Sequence, residues 1–460
     1  MGDGRERQLV PDYRLSLRET ISNPQSYGVN NLSSARSSPR RPRKRRRDLR
    51  DLEGLPRSAS RSHFRAALER AGEEPAPTRP PLANFAAPAL WNWVKSYLRY
   101  RFQRSHPFVP HTSHPQHCIY TLGDTAGTGV VRVSLAGDWA TGTAEAVQTA
   151  QGMMKSDPHF TIHLGDIYFV GDELSLQENC LGIDNLKTQY APALWPIGSR
   201  GSFALNGNHE MYANGRPYFE QFLPRLGLRT AEGTSGQITS FFCLQNDHWR
   251  IIGLDTGYHS RGWPFIGLIK RPSCRLDEKL LEWLREIVRP QNEADKRGII
   301  LLSHNQYFTV FPDDHNYTKP AQQLKEFINR PVLWFWGHEH KLAGYDLWGP
   351  KELQVHGRCV GHGGMPVVPQ RPPAGKRPPL LFYDNRYYKD GFNHNGYVSL
   401  EFLGPRMTAR YFDISGIIPG GSDRLLIEEQ WKVDTEGAVV RESVRQLCQD
   451  ADFYGPAKWG

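Results

Sequence analysis

Five short apolar runs in this 460-residue chain each break off into a residue that can bind a metal ion, and that recurrence limits the folds open to it. Val131-Arg132-Val133-Ser134-Leu135-Ala136 stops at Gly137-Asp138, and Phe160-Thr161-Ile162-His163-Leu164 stops at Gly165-Asp166. Phe203-Ala204-Leu205 leads into Gly207-Asn208-His209-Glu210. Ile299–Leu302 ends at Ser303-His304, and Val332–Trp336 ends at Gly337-His338-Glu339-His340. Short apolar runs closed by glycine and polar residues read as buried strands. An open α/β sheet gathers its binding groups at the carboxyl ends of such strands. Any one of the stretches is a weak sign, because strands often leave a sheet through Gly and Asn; the ordered set carries the weight.

Between and after these runs the texture changes. Helices are expected from Thr143 to Lys155 and from Leu276 to Val288, where Leu280, Leu281, Leu284, Ile287 and Val288 share one face. Ile238–Leu244 and Trp249–Leu254 read as strands around a turn at Gln245-Asn246-Asp247, and Leu353–Val355, Tyr397–Phe402 and Met407–Phe412 as later strands. Strands first interleaved with helices and then running alone predict an α/β fold, a four-layer-type β-sandwich of mixed sheets flanked by helices. The domain is expected over residues 131–415, with 416–460 as a C-terminal extension packing on it.

The formal net charge of +9 is unevenly placed. Residues 1–130 hold 22 Lys and Arg against 11 Asp and Glu, giving +11, which leaves 35 against 37, or −2, for residues 131–460. The basic character therefore belongs to the N-terminal region and says little about the part that carries the ligands. Residues 1–83, rich in Arg, Ser and Pro, are expected to be a disordered basic extension. Its run from Arg40 to Arg47 is either a solvated tail or a site for an anionic partner such as nucleic acid or anionic lipid.

Residues 84–130 read as an amphipathic helix and a linker. Trp91, Val94, Leu98 and Phe102 have helical spacing among basic residues, and the helix is expected to dock on its own protein rather than on a membrane surface. His106, His111, His114 and His117 follow in a Pro-rich stretch that argues against a fixed metal cluster. Gly123-Asp124-Thr125-Ala126-Gly127 lacks the Gly-Lys-Ser/Thr ending of a phosphate-binding loop and reads as a hairpin turn. No run of about 18 apolar residues is present, so no transmembrane segment is expected. The polar first residues lack the apolar core of a secretory signal. Six cysteines without CxxC spacing read as buried free thiols in a reducing, cytoplasmic setting, although an even count also permits disulfides.

Asp138, Asp166, Asn208, His304, His338 and His340 make a mixed nitrogen and oxygen ligand set without thiolate, which suits Mn, Fe or Zn. A shared carboxylate can hold two such ions roughly 3.5–4 Å apart, acidifying a bridging water and clamping an in-line displacement at phosphorus.

The order Gly-Asp, Gly-Asp, Gly-Asn-His, His, Gly-His-x-His resembles the calcineurin-like metallophosphoesterase superfamily, which includes the purple acid phosphatases. The resemblance covers residues 131 to about 345, with the β-rich part to about 415 completing the fold. It implies two divalent or trivalent metal ions (Mn, Fe or Zn) bridged by Asp166. Asp138 and His340 would belong to the first ion, and Asn208, His304 and His338 to the second. His209 would donate a hydrogen bond to a phosphoryl oxygen or protonate the leaving oxygen. The implied activity is hydrolysis of a phosphate mono- or diester by attack of metal-bound hydroxide. A nuclease or cyclic-nucleotide phosphodiesterase on the same centre, and a non-catalytic scaffold on a phosphoesterase fold, are the alternatives.

Two positions depart from the pattern. Many members place His two residues after the first Asp, where this chain has Ala140. Purple acid phosphatases supply a Tyr three residues after the second Asp, where this chain has Phe169, with Tyr168 one place earlier. Water or Tyr168 would complete the first site, and no tyrosinate-to-iron colour is expected. His259, in a loop with Arg261, Trp263 and Phe265, and Asn305, next to His304, are candidate substrate contacts; a plain surface loop is the equal alternative for His259. Gly361-His362-Gly363-Gly364 is a candidate turn near the cleft.

Overall fold

The computed structural model describes residues 95–455 except 101–102, 124–128, 184–191, 262–271, 313, 366–368, 374, 376–377, 388–390 and 415–422. The basic extension over residues 1–83 with its run from Arg40 to Arg47, and Trp91, Val94, Phe102, Trp263 and Phe265, lie outside the described residues.

The first strands in chain order are β1 (Ile119–Thr121), β2 (Val130–Ala136), β3 (Phe160–His163), β4 (Gly201–Ala204), β5 (Gly227–Thr230) and β6 (Gly233–Thr234). They are followed by β7 (Phe242–Gln245), β8 (Trp249–Gly253), β9 (Gly298–Ser303), β10 (Val332–Trp336), β11 (Leu342–Trp348) and β12 (Val355–Val360). The last are β13 (Leu380–Asp384), β14 (Gly396–Leu403), β15 (Arg406–Asp413), β16 (Arg424–Val433), β17 (Val439–Gln446) and β18 (Phe453–Tyr454). They form two nine-stranded mixed sheets, β1-β7-β8-β9-β10-β12-β11-β13-β18 and β17-β16-β15-β14-β2-β3-β4-β5-β6. The expected α/β architecture is present: two large mixed sheets with helices on their flanks.

The centre of each sheet is parallel: β8, β9, β10 and β12 in one, β2, β3 and β4 in the other. Every residue of β8, β9 and β10 is buried. Covered on both faces, β9 and β10 read as near-continuous apolar runs, and β8 does so but for Arg250, which pairs with Asp295, whereas β15 alternates buried and part-exposed residues as a strand with one wet face does.

Helix α1 (Ala144–Lys155) starts where the Thr143 hydroxyl accepts from the Ala146 N–H at 3.1 Å. Helix α2 spans Glu173–Asn179 and α3 spans Asn208–Tyr212. Asp277 caps α4 (Glu278–Trp283), which widens into a π turn over Leu284–Val288 and stops at Arg289 with φ 49°. The last helix, α5, covers Thr318–Leu324. Leu280, Trp283, Leu284, Ala321 and Leu324 pack into the same core as β8–β10.

Several expectations change. The strand expected over Ile238–Leu244 begins only at Phe242, because the Thr239 and Ser240 hydroxyls bond to the Phe241 carbonyl and the Asp255 carboxylate, holding that stretch in an irregular path. The hairpin turn expected at 123–127 lies, beyond Gly123, outside the described residues, but the strands on either side of it do not make a hairpin. β1 pairs with β7 of one sheet, and β2 with β3 and β14 of the other. Within residues 416–460, expected as a C-terminal extension packing on the domain, β16 and β17 run in one sheet and β18 in the other. The histidine stretch is ordered, with His111 Nδ1 and His117 Nδ1 3.1 Å apart. All six cysteines are free and buried. No helix among the described residues is long and apolar enough to cross a membrane.

Residues 95–100 are helical and docked on the body. Ser96 Oγ donates to Asp172, the cap of α2, and the Tyr97 ring meets Tyr212 edge-on at 5.8 Å.

Candidate metal centre

Asp138, Asp166 and Asn208 follow β2, β3 and β4 of one sheet, while His304, His338 and His340 follow β9 and β10 of the other. Both sheets present these strands' carboxyl ends to the same place, so six side chains far apart in sequence converge. Possible ligand atoms of Asp138, Asp166 and His340 lie within 4.8 Å of one another, and so do those of Asp166, His304 and His338. Asp166 belongs to both groups.

The second group closes around His304. Its Nε2 lies 3.2 Å from Asp166 Oδ1, 3.1 Å from Asn208 Oδ1 and 3.2 Å from His338 Nδ1, while its Nδ1 donates to the Leu164 carbonyl at 2.9 Å. That outer bond fixes the tautomer and turns the Nε2 lone pair inward. In the first group His340 Nε2 is 3.3 Å from Asp138 Oδ1. The Tyr168 hydroxyl stands among all three members, 2.8 Å from Asp138 Oδ1, 3.2 Å from Asp166 Oδ2 and 2.8 Å from His340 Nε2.

The backbone is bent to this purpose. Asp138, Asp166, His338 and His340 have φ of 57°, 74°, 67° and 35°, in the left-handed region that non-glycine residues rarely occupy. Strain of that kind persists where the surrounding structure over-determines it and a site needs it. The space is equally tight. A Cβ on Gly207 would fall 2.2 Å from Asp166 Oδ1, and one on Gly361 2.8 Å from Asp138 Oδ2. The Gly361–Gly364 stretch, expected as a turn near the cleft, thus comes against the first group, with Gly361 beside Asp138.

Charge points to a cation. Burial alone would raise the Asp166 carboxyl and lower His304. Instead His209, His304 and His338 hold Asp166 well below the usual carboxylate range, and chiefly Asp166 drives His304 up to about 10. The carboxylates pull a proton onto a ligand imidazole, and a metal ion satisfies the same demand by displacing it. Glu210 is pushed up to about 8, first by burial and then by Asp166, while its Oε2 accepts from the Gly207 and Asp166 N–H groups at 2.9 and 3.2 Å. Donor types, convergence and charge all fit two metal ions.

His209 is fully buried beside the centre, outside both groups. Its backbone N–H donates to Asp166 Oδ1 at 3.0 Å, its Nδ1 bonds the Phe169 carbonyl at 2.8 Å, and its Nε2 lies 3.6 Å from Asp166 Oδ2. Asn305 is 2 % exposed, and both polar atoms of its amide have no partner among the described residues. His259 is engaged elsewhere, with Nε2 2.9 Å from Asp277 Oδ2 at the start of α4. Two neighbours escaped the sequence reading. Tyr212 accepts from Asn208 Nδ2 at 3.1 Å, and Tyr317 lies 3.4 Å from His338 Nε2. Tyr212 stands four residues after Asn208, a spacing that places both on one side of a helix. Tyr317 comes from a loop and leaves no such mark.

Residues 121–342 match the family described as calcineurin-like phosphoesterase. Solved structures similar to this chain include GAP50, the anchor in the inner membrane complex of Plasmodium, at 14% identity and TM-score 0.43, covering 67% of this chain and 90% of that one. Purple acid phosphatase PPD1 from yellow lupin (Lupinus luteus) matches at 14% identity and TM-score 0.42, over 64% of this chain and about half, 53%, of its own. A dimetal phosphatase from Danio rerio matches at 11% identity and TM-score 0.37, over 65% and 98%. A comparison with curated protein sequences finds no match.

Proposed function

We propose that this chain, which belongs to the calcineurin-like phosphoesterase family through residues 121–342, is a metal-dependent phosphohydrolase that cleaves a phosphate mono- or diester. The observation that carries the reading is Asp166, shared by two ligand groups that otherwise use different side chains. Asp138, Asp166 and His340 would hold the first ion, with the Tyr168 oxygen beside them as a further donor. Asp166, Asn208, His304 and His338 would hold the second. When bound, the ions supply Lewis acidity that acidifies water and draws charge from the phosphoryl oxygens.

The chain's own groups do the rest. The Phe169 carbonyl accepts a hydrogen bond from His209 Nδ1–H, which aims Nε2 at the centre; with a proton on Nε2 as well, the imidazolium can donate to a phosphoryl oxygen or give that proton to the leaving oxygen. The unpartnered Asn305 amide can both donate to and accept from a substrate. His259, tied to Asp277, is the weaker substrate contact.

The test is turnover of an aryl phosphate against an aryl phosphodiester with Mn, Fe or Zn supplied, together with elemental analysis. Two ions per chain and turnover lost in Asp166→Asn support the reading. No turnover with any metal, and no function lost in Asp166→Asn, favour a scaffold instead. A nuclease on the same centre is the second reading, favoured by the basic run from Arg40 to Arg47 as a site for an anionic partner.

A further inference from the structure

We propose that Tyr212 and Tyr317 are positioning residues for the second ion, one holding the amide plane of Asn208 and the other the tautomer of His338. The proposal rests on the reading of the centre above. Each ligand that only the second ion uses has one polar end turned inward and the other held from outside. His304 is held by the Leu164 carbonyl at 2.9 Å, Asn208 by the Tyr212 hydroxyl at 3.1 Å and His338 by the Tyr317 hydroxyl at 3.4 Å. The holders come from separate places: the end of β3, the end of α3 and the residue before α5.

The chemistry of each pair explains the choice of a phenol. An Asn amide binds a cation only through oxygen, and rotation by half a turn presents the NH₂ instead. With Nδ2 donating to Tyr212, Oδ1 is left facing His304 Nε2 at 3.1 Å. A His binds metal through whichever ring nitrogen lacks the proton. With Nε2–H donated to Tyr317, the Nδ1 lone pair faces His304 at 3.2 Å, inside the ligand group. A phenol can accept in both settings while its ring packs against the neighbours. Tyr212 meets His209 edge-on at 5.0 Å, and Tyr317 meets His338 at 5.7 Å.

The experiment is metal titration of the full chain against a chromophoric chelator, using Zn. Tyr212→Phe and Tyr317→Phe keep the ring and remove only the hydroxyl. Each is expected to weaken the second ion's binding about 10- to 100-fold, as loss of outer-shell support does, with the first ion's affinity unchanged. Asn208→Asp separates positioning from plain stability, because a carboxylate presents oxygen whichever way it turns. Adding Tyr212→Phe to Asn208→Asp should therefore cost much less affinity than Tyr212→Phe does alone. Wild-type affinity for both ions in both tyrosine variants overturns the proposal, and so does an equal loss from Tyr212→Phe with and without Asn208→Asp. A wild-type chain that takes up no second ion overturns the two-ion reading itself, a result distinct from either.

Discussion

Arg358 on β12 and Glu429 on β16 meet as a bidentate ion pair, at 2.8 and 2.6 Å with both side chains at 0 % exposure, and so join one sheet to the other. The Arg358 Nη1 also donates to the Tyr345 and Gly357 carbonyls, and the Tyr411 hydroxyl donates to Glu429 at 2.6 Å. Buried charges this well partnered are costly to separate, because removing one strands the other. Glu429→Ala is expected to destabilise the fold by about 3–5 kcal/mol in urea unfolding. Replacing both charges, as Arg358→Met with Glu429→Leu, should recover much of that loss. A double variant as unstable as the single one would show that the pair contributes more than charge compensation.

His356 gives a pH dependence. Burial first, then Arg358 and Arg441, lower it from 6.5 to about 3, and its Nδ1 has no partner among the described residues. A lowered histidine binds its proton in the unfolded chain before it does in the folded one. Its contribution is therefore intact above pH 6.5 and is lost progressively as pH falls toward 3. At pH 5 the loss is about 2 kcal/mol. His356→Phe should flatten the acid limb of a stability profile between pH 7 and 5; an unchanged limb would place the proton uptake elsewhere.

Tyr168 bears on the expectation, drawn from Phe169 three residues after Asp166, that bound iron gives no tyrosinate colour. The Tyr168 oxygen stands 2.8 Å from both Asp138 Oδ1 and His340 Nε2. Iron-loaded protein is now expected to show a visible tyrosinate band. Tyr168→Phe should abolish the band and weaken the first ion about tenfold while the second stays bound. A colourless wild type holding two irons would leave that fourth place to water.

His209→Ala separates proton transfer from metal binding. Turnover should fall roughly 10²- to 10⁴-fold, the usual range for a positioned acid or base. Metal content should stay at the wild-type value, because His209 lies outside both ligand groups. Loss of metal in this variant would mean that its backbone bond to Asp166 depends on the ring.

What was legible in the sequence was whatever local chemistry demands. A ligand at the end of a buried strand needs an apolar run, a tight bend and one of a few side chains, and Asp138, Asp166, Asn208, His304, His338 and His340 all carry that mark. Pairing partners were not legible. Nothing near Ile119 reveals that it lies beside Cys243, so β1 and β2 read as the arms of a hairpin although they belong to different sheets. His259 looks like a cleft residue because sequence does not show that Asp277, itself a helix cap, engages its ring. Tyr317 was invisible for the same reason: a loop's landing place depends on everything it lands on.

The six candidate ligands are divided three and three between the sheets, and that division would give a bound centre a mechanical meaning. Two metal ions held there would form a cross-link, fastening the end of β2 at Asp138 to His338, 200 residues further along the chain, as a disulfide would but reversibly. The free energy of metal binding would thereby be added to the stability of the sandwich as a whole. A chelator would then act on this protein as a reducing agent acts on a stapled one. Ligand variants should accordingly be judged by whether the sheets remain closed as well as by what they hydrolyse.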